Sequence, residues 1–324
     1  MFSGSGPNPP GRAFGGMKTP SSVPTTTLDP PVRAQSTSRR GLTVMFLSVL
    51  AFSVNTLLLR YIGREVGSGT IGPEVSLLFR AAVGTIVVLA FFRGGRPVSV
   101  APVFLDRQLA VRGIVGLLGT AAYYWTIPSL GAGKATLVCN TYVIFASVFA
   151  TFSLGERLTL SRTLWLVLAF SGILLLIGPT VGGTGLAFGF HEIVALLGAV
   201  LAAWAVVLVR QLSFVYSIGT IYLAQCLWIL APVAVLAVPH LSSLSAADTG
   251  LLVLAATAAS FGQLAMNEGY RCLTVTTGAS LQMLWPVFAT AGGWLIFEER
   301  FGALQWLGAA LILASIWRIA AAGK

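Results

Sequence analysis

The chain has 324 residues, of which 56% are hydrophobic and only 9% are charged, and its mean hydropathy is +0.86. A soluble domain carries about a quarter charged residues, so this composition cannot cover a water-facing surface of this size. The excess of apolar residues indicates a lipid bilayer as the solvent. It argues against a cytosolic enzyme, a disulfide framework and a DNA-binding domain.

The basic excess does not indicate a nucleic-acid partner. The net charge is +10, but the basic residues are scattered among apolar runs, as they are in the loops of membrane proteins. Cys139, Cys226 and Cys272 lie in apolar stretches and show no CxxC or Cys/His spacing. We therefore expect no disulfide, no metal site and no cofactor.

The first forty residues differ in composition from the rest of the chain. They hold seven of the fifteen prolines among Gly, Ser and Thr, which predicts a disordered cytoplasmic tail over residues 1–40. The tail contains no apolar core of the kind that a signal peptide needs. The first hydrophobic segment should therefore remain in the mature protein.

Beyond residue 40, long apolar runs alternate with short interruptions. A helix needs about 20 apolar residues to cross the hydrocarbon core, and the runs lack the alternating polarity of barrel strands. The sequence thus predicts an all-α integral membrane protein. Its ten predicted spans are 42–60, 71–92, 109–128, 133–153, 162–178, 190–209, 218–238, 249–270, 275–297 and 302–320.

Lys and Arg fall mainly on one side of these spans. With the N-terminus inside, fifteen of them lie in inner segments, four lie in outer segments and Arg80 lies within a span, which accounts for all twenty. Arg112 is one of the fifteen. Because positive residues favour the cytoplasmic side, the asymmetry predicts that both termini are cytoplasmic.

The chain repeats itself weakly. A shift of 143 residues pairs Glu156-Arg157 with Glu299-Arg300, and a shift of 150 pairs the first span with the sixth. Each half then holds five helices. Because five is odd, the two halves are predicted to be inverted in the membrane, an arrangement found in transporters.

Two segments resemble a known family. The segments Leu154–Thr159 and Pro286-Val287-Phe288 through Glu298-Glu299-Arg300 are similar to the ends of the two EamA domains of the drug/metabolite transporter superfamily. There, a helix with Pro-x-Phe runs into a short loop carrying Glu. The sequence departs from this pattern at Val143, which stands where the second half has Pro286.

The resemblance covers residues 41 to 320 and assigns 41–179 and 190–320 to two five-helix repeats. It implies an inner-membrane carrier that moves small metabolites by alternating access. Arg80 also fits an Arg often seen in the second helix of that family. The substrates of the family vary widely, so the resemblance does not choose one.

Two charged residues within the spans have alternative interpretations. Arg80 lies near the middle of the second span, where an unpaired guanidinium costs at least about 3 kcal/mol. It either contacts substrate or holds helices together through Glu74, Glu268 or backbone carbonyls. Glu268 either forms an ion pair with Arg271 at the membrane interface or acts as a proton-coupling carboxylate.

Uncharged polar and aromatic side chains supply the other candidates for the substrate path. Each either lines the path or bonds a neighbouring helix, and the aromatic ones fit an interfacial belt as well. These candidates are Asn55, Tyr123, Asn140, Tyr142, Gln263, Asn267, Gln282 and Trp285. Pro286, placed in mid-helix, predicts either a functional break or a passive kink.

Small residues four apart indicate close helix contacts. Ala146 and Ala150, with Ala289 and Gly293 in the second half, would form them either within the bundle or between the protomers of a homodimer.

Two classes of function remain open. The repeats and spans favour a secondary transporter, whereas a membrane enzyme or a non-transporting scaffold is the alternative. The two histidines lie far apart, and no GxSxG, HExxH or Walker lysine motif is present. The few intramembrane charges favour a neutral or zwitterionic solute, such as an amino acid, over a multivalent anion.

Overall fold

In the computed structural model, the described residues are 30–65, 71–91, 98–156, 159–177, 189–297 and 302–321, and every element in these ranges is an α-helix. The twelve helices are α1 (Pro30–Glu65), α2 (Pro73–Phe91), α3 (Ala101–Leu105), α4 (Arg107–Asn140), α5 (Tyr142–Leu154), α6 (Leu160–Ile177), α7 (Phe190–Leu212), α8 (Ile218–Leu241), α9 (Ala246–Cys272), α10 (Val275–Gln282), α11 (Leu284–Phe297) and α12 (Ala303–Ala321).

Five of the ten predicted spans coincide with helices that are long and apolar enough to cross a membrane by themselves. They are the first, second, sixth, seventh and eighth spans, found at Arg39–Leu59, Pro73–Ala90, Phe190–Leu212, Ile218–Leu241 and Ala246–Cys272. The other five predicted spans correspond to α4 to α6 and α10 to α12, which contain shorter apolar segments or are interrupted.

Large apolar side chains also lie on the outside of the bundle. Phe152 is 84% exposed and Val235 is 76% exposed. In water such a surface would be unfavourable, whereas lipid tails solvate it. The bundle is therefore that of a multi-pass membrane protein.

The first helix begins earlier than predicted. α1 starts at Pro30, so residues 30–40 of the expected disordered tail are helical, and the predicted boundary at residue 40 is too late. Proline is tolerated in the first turn of a helix, where its missing N–H is no loss. The ion pair between Arg40 and Glu268 (2.8 Å) ties this extension to α9. Residues 1–29 lie outside the described residues.

The boundary between the third and fourth predicted spans is also different. The sequence predicts a loop at 129–132, but α4 is helical from Arg107 to Asn140 and the interruption comes at Thr141. Gly131 and Gly133 lie at this point, and a glycine costs a helix only about 1 kcal/mol. Where water is scarce, continued backbone hydrogen bonding outweighs that cost.

The two halves interrupt a helix at nearly equivalent places. α4 gives way to α5 at Thr141, and α10 gives way to α11 at Met283. Pro286 is therefore the third residue of α11, not a mid-helix residue as predicted. The first half makes the same break with Val143 in place of proline, and Thr141 Oγ1 donates a hydrogen bond to Val138 O (2.6 Å). The break does not depend on proline.

Helices of the two halves pack against each other in equivalent pairs. α1 packs most closely against α9, and the equivalent pair, α7 and α4, packs in the same way. α2 packs against α8 and α6 against α12, and each of these pairs joins equivalent helices. Every one of these contacts joins one half to the other. The fold is thus built from two similar halves that pack face to face.

A carboxylate from the first half caps a helix of the second half. α5 ends at Gly155, whose φ of +66° is the left-handed conformation that suits glycine. The next residue, Glu156, accepts hydrogen bonds from Val275 N (2.6 Å) and Thr276 N (3.2 Å) at the start of α10. Sequence analysis paired Glu156 with Glu299, but Glu299, Arg157 and Arg300 lie outside the described residues.

Asp106 joins the start of α4 to the connection between α7 and α8. Its carboxylate accepts hydrogen bonds from Tyr216 OH (2.7 Å) and from the backbone N–H groups of Gln108 (2.7 Å) and Leu109 (3.1 Å). The hydrogen bond from Tyr216 and those from the backbone hold the pKa of Asp106 below its usual range.

The small residues have distinct roles. Ala146 and Ala150 are fully buried, which favours a contact within the bundle. A Cβ on Gly172 of α6 would lie 2.8 Å from Gly308 O and 2.9 Å from Ile312 Cγ1, both on α12. This crossing therefore requires glycine.

We predict that Gly172→Ala lowers the free energy of unfolding by about 1–3 kcal/mol, because α6 and α12 must move apart. The measurement is SDS titration of the purified protein followed by tryptophan fluorescence. Gly250→Ala is the matched control, since no atom lies within 4 Å of its Cβ position; it should be neutral or gain up to about 1 kcal/mol. Equal effects of the two changes would contradict the close crossing.

We predict that Asp106→Ala lowers the free energy of unfolding by about 1 kcal/mol at neutral pH, because it removes the cap of α4. Because the folded-state pKa is lowered, the carboxylate stabilises the fold above its unfolded pKa of about 3.9 and loses this effect as pH falls through the folded value. The difference between wild type and variant should therefore shrink in melts below about pH 4. The lower limit of these melts is about pH 3, roughly one unit below the unfolded pKa. A difference in stability that stays constant down to this pH would refute the stabilising role of the carboxylate.

Candidate functional site

A cavity of about 140 Å³ lies between the two halves of the bundle. Its walls come from both halves and are mainly aromatic, amide and small side chains, with two arginines. They are Phe52, Asn55, Arg80, Arg112, Val115, Gly116, Gly119, Thr120, Tyr123, Tyr124, Cys139, Tyr142, Ala202, Ala205, Val206, Gln225, Gln263, Met266, Gln282 and Trp285.

One face of α4 forms a continuous wall of this cavity. The lining residues recur every three or four positions from Arg112 to Tyr124, at 112, 115, 116, 119, 120, 123 and 124. This spacing places them on one side of a helix. Twelve residues of helix rise by about 18 Å, so the wall runs deep into the bundle.

The lining is symmetric between the two halves. Cys139 and Tyr142 flank the first helix break, and Gln282 and Trp285, each 143 positions later, flank the second. The same shift relates Thr120 to Gln263 and Tyr123 to Met266, and a shift of 150 relates Phe52 to Ala202 and Asn55 to Ala205. The cavity therefore lies where the two repeats meet, and both breaks open onto it.

Arg80 has several partners inside the bundle. Its Nη2 donates to Gln263 Oε1 (3.0 Å), its Nη1 donates to Tyr124 OH (3.4 Å), and its guanidinium lies 5.9 Å from the centre of the Phe52 ring. The prediction that Arg80 pairs with Glu74 or Glu268 is therefore wrong. Amide, phenol and aromatic groups satisfy this buried charge without an acidic residue.

Seven of the ten predicted site residues line the cavity. They are Asn55, Arg80, Tyr123, Tyr142, Gln263, Gln282 and Trp285. Gln282 Nε2 donates to Ser48 Oγ (3.0 Å) and Trp285 Nε1 donates to Thr56 Oγ1 (3.0 Å), so both side chains are held against α1. These two bonds fix the orientation of the polar groups at the second break.

The other three predicted residues lie outside the cavity lining. Glu268, near the end of α9, pairs with Arg271 (2.7 Å) and Arg40 (2.8 Å), which corresponds to the ion-pair interpretation. Asn267 accepts a hydrogen bond from Gln263 Nε2 (3.2 Å) and so supports a lining residue from behind. Asn140 is buried at the last residue of α4.

Sequence analysis missed the second arginine of the cavity lining. Arg112 was assigned to the cytoplasmic side of its span, but it is only 2% exposed and lies inside the bundle. Its Nη2 donates to Gln225 Oε1 (3.0 Å), and Gln225 Nε2 donates to Thr120 Oγ1 (3.2 Å). The spacing of Arg112, Gly116 and Thr120 on one helical face was the available signal.

The charge of the cavity is positive. Arg80 and Arg112 line it, and none of the described residues that line it is acidic. The arrangement therefore suits a solute that brings hydrogen-bond acceptors or negative charge into an otherwise aromatic and amide-lined space.

Comparison with known proteins shows the family. The model of the EamA-like transporter family matches residues 39–178 and 189–321, one match in each half. The chain belongs to the EamA-like transporter family. It is accordingly a membrane transporter with two EamA repeats, as the resemblance in sequence implied.

The individual relatives have low sequence identity to this chain, between 19% and 29%. The pseudopaline exporter CntI of Pseudomonas aeruginosa is 27% identical over 286 residues, which cover 86% of this chain and 94% of that relative. A WAT1-related chloroplastic protein of Arabidopsis thaliana is 29% identical over 203 residues, covering 58% of this chain and 48% of its own. One crystal structure superposes with a TM-score of 0.73 at 19% identity, over 87% of this chain and 97% of its own. That likeness shows the shared fold.

We predict that Arg80 and Gln263 are energetically coupled by about 1–2 kcal/mol, because their hydrogen bond involves a buried charge. The measurement is a double-mutant cycle of Arg80→Gln and Gln263→Leu on the free energy of unfolding. Thr257→Val, an exposed position on the same helix α9, is the control partner. It should be additive with Arg80→Gln to within about 0.5 kcal/mol. A coupling no larger than that of the control would contradict the contact.

Proposed function

We propose that the protein is a secondary transporter that moves a small organic solute across the bilayer by alternating access, with the central cavity as its binding site. The observation that carries the proposal is the symmetric lining: both helix breaks and equivalent residues of the two repeats meet at one cavity. In transporters built from repeats, solute binds at the interface of the repeats, and rocking of one repeat against the other exposes it alternately.

The proposed topology is ten spans in two inverted five-helix repeats, with both termini in the cytoplasm of the cell and the bundle in the inner (plasma) membrane. The packing of equivalent helices against each other supports the two repeats. Arg112 is buried and no longer counts as an inner residue. Fourteen basic residues then remain in inner segments and four in outer segments, so the orientation still follows the positive-inside rule.

The proposed solute is an amino acid or a related metabolite. The cavity of about 140 Å³ is smaller than the several hundred Å³ typical of drug-sized ligands. Its aromatic and amide groups suit a compact solute with both apolar and polar parts. The relative that is named as an exporter supports export as the direction.

The lining side chains have separate proposed roles. Asn55, Tyr142, Gln282 and Trp285 would contact the solute directly. Arg80, Tyr123 and Gln263 would shape the wall that faces them. The three residues outside the lining would act indirectly, with Asn267 holding Gln263 in place and Glu268 joining α9 to α1 through Arg40.

The test is solute flux in liposomes reconstituted with the full chain. We expect counterflow of at least one labelled amino acid above that of protein-free liposomes. Trp285→Ala should lower this flux by about tenfold or more, equivalent to about 1.4 kcal/mol of lost solute binding, with an unchanged elution profile on size exclusion. Trp317→Ala, which removes a lipid-facing Trp on α12, should leave flux unchanged. No flux of any amino acid with folded protein would refute the proposed solute and favour a scaffold.

A further inference from the structure

We propose that the Arg112 guanidinium is the anion-binding group of the cavity and that the transported solute carries a carboxylate. This inference rests on the proposed function, because it names the substrate class of the same site. It comes from a residue that the sequence placed on the cytoplasmic side and that the structure places inside the bundle.

Most of the hydrogen-bonding capacity of Arg112 is unused. A guanidinium carries five N–H donors, one on Nε and two on each terminal nitrogen. Nη2 donates to Gln225 Oε1 (3.0 Å), whereas Nε and Nη1 are buried and have no hydrogen-bond partner in the part of the chain that the structure describes. One donor on Nε and two on Nη1 therefore remain for a ligand.

The surroundings hold this guanidinium in a defined position. Gln225, its acceptor, is itself fixed by Thr120, whose hydroxyl donates to Gly116 O (2.7 Å). A Cβ on Gly116 would clash with Arg112 Nη1, so the glycine leaves the space that the guanidinium occupies. These three residues of the cavity wall thus hold the guanidinium at the cavity, where its unpartnered nitrogens are buried.

The contrast with Arg80 identifies which arginine needs a ligand. Arg80 has an amide, a phenol and an aromatic ring as partners. Arg112 has one amide, and none of the described lining residues supplies a negative charge. A buried charge with so little compensation destabilises the empty protein, and an incoming anion removes that cost.

A carboxylate fits this site better than a phosphate does. A multivalent anion calls for several free basic groups, and of the two arginines that line the cavity only Arg112 has buried nitrogens without any hydrogen-bond partner among the described residues. A single negative charge matches a single uncompensated guanidinium. The apolar part of the solute would then extend along α4 towards Tyr123 and Trp285.

The test uses benzoate and its uncharged isostere benzamide as probes of the purified full-length protein. Benzoate should raise the melting temperature of the wild type by about 2 °C or more at saturation, since it binds only the folded state. Arg112→Gln should lose this shift. Arg107→Gln, the same change at an exposed position on the same helix, should keep it, and benzamide should shift none of the three proteins.

Several outcomes would overturn the proposal. They are an equal shift by benzamide, a benzoate shift that survives in Arg112→Gln, no benzoate shift of the wild type at any concentration, or an equal shift by inorganic phosphate. A ligand-free melt supplies a second readout. Arg112→Gln should melt at or above the temperature of the wild type, because it removes an uncompensated charge, whereas a clearly lower melting temperature would indicate a structural role.

The same proteins separate this inference from the proposed function. Amino-acid flux in the wild type, together with an unchanged benzoate shift in Arg112→Gln, would remove the anion site and leave the transporter. A benzoate shift that depends on Arg112, in a protein without amino-acid flux, would keep the anion site and refute the amino acid as the proposed solute.

Discussion

A polar group inside a bilayer has no water to bind, and this constraint explains how Arg80 and Glu268 are accommodated inside the bundle. Arg80 is acceptable near the middle of α2 because Gln263 and Tyr124 reach it from α9 and α4. Glu268 is acceptable because Arg40 and Arg271 face it. The network of these contacts joins the two halves, so the same bonds that satisfy the charges also hold the repeats together.

Helix ends follow the same constraint. The N-terminus of α10 lies inside the bundle, where its first N–H groups need acceptors, and Glu156 supplies them from the other half. The breaks at Thr141 and Met283 occur only where the chain borders a polar cavity. Irregular backbone at membrane depth is tolerated in such places, and the cavity and the breaks therefore occupy the same region.

Sequence reasoning succeeded where a local pattern carries the information. Apolar runs located the long spans, the shift of 143 residues located the repeats, and polar residues within spans identified seven of the twenty lining residues, including Tyr142 and Trp285. It failed where the decisive fact is a contact between distant segments. Nothing in the neighbourhood of Arg112 reveals that Gln225, 113 positions later, accepts its hydrogen bond. The ion pair between Arg40 of α1 and Glu268, more than two hundred residues away, is likewise a contact that no local pattern predicts.

The symmetry of the cavity is incomplete in one respect. The shift that pairs Thr120 with Gln263 places Ala255 opposite Arg112, so only the first repeat contributes this cation. A carrier with two equivalent halves would present the same binding site to both sides of the membrane. Under the proposed alternating access, the two repeats exchange roles between the inward-facing and outward-facing forms, so the two forms would surround this cation differently and bind the proposed anionic solute with unequal strength. Such a difference drives no net movement, because the cycle returns to its starting state, but it makes the two directions of exchange saturate at different solute concentrations.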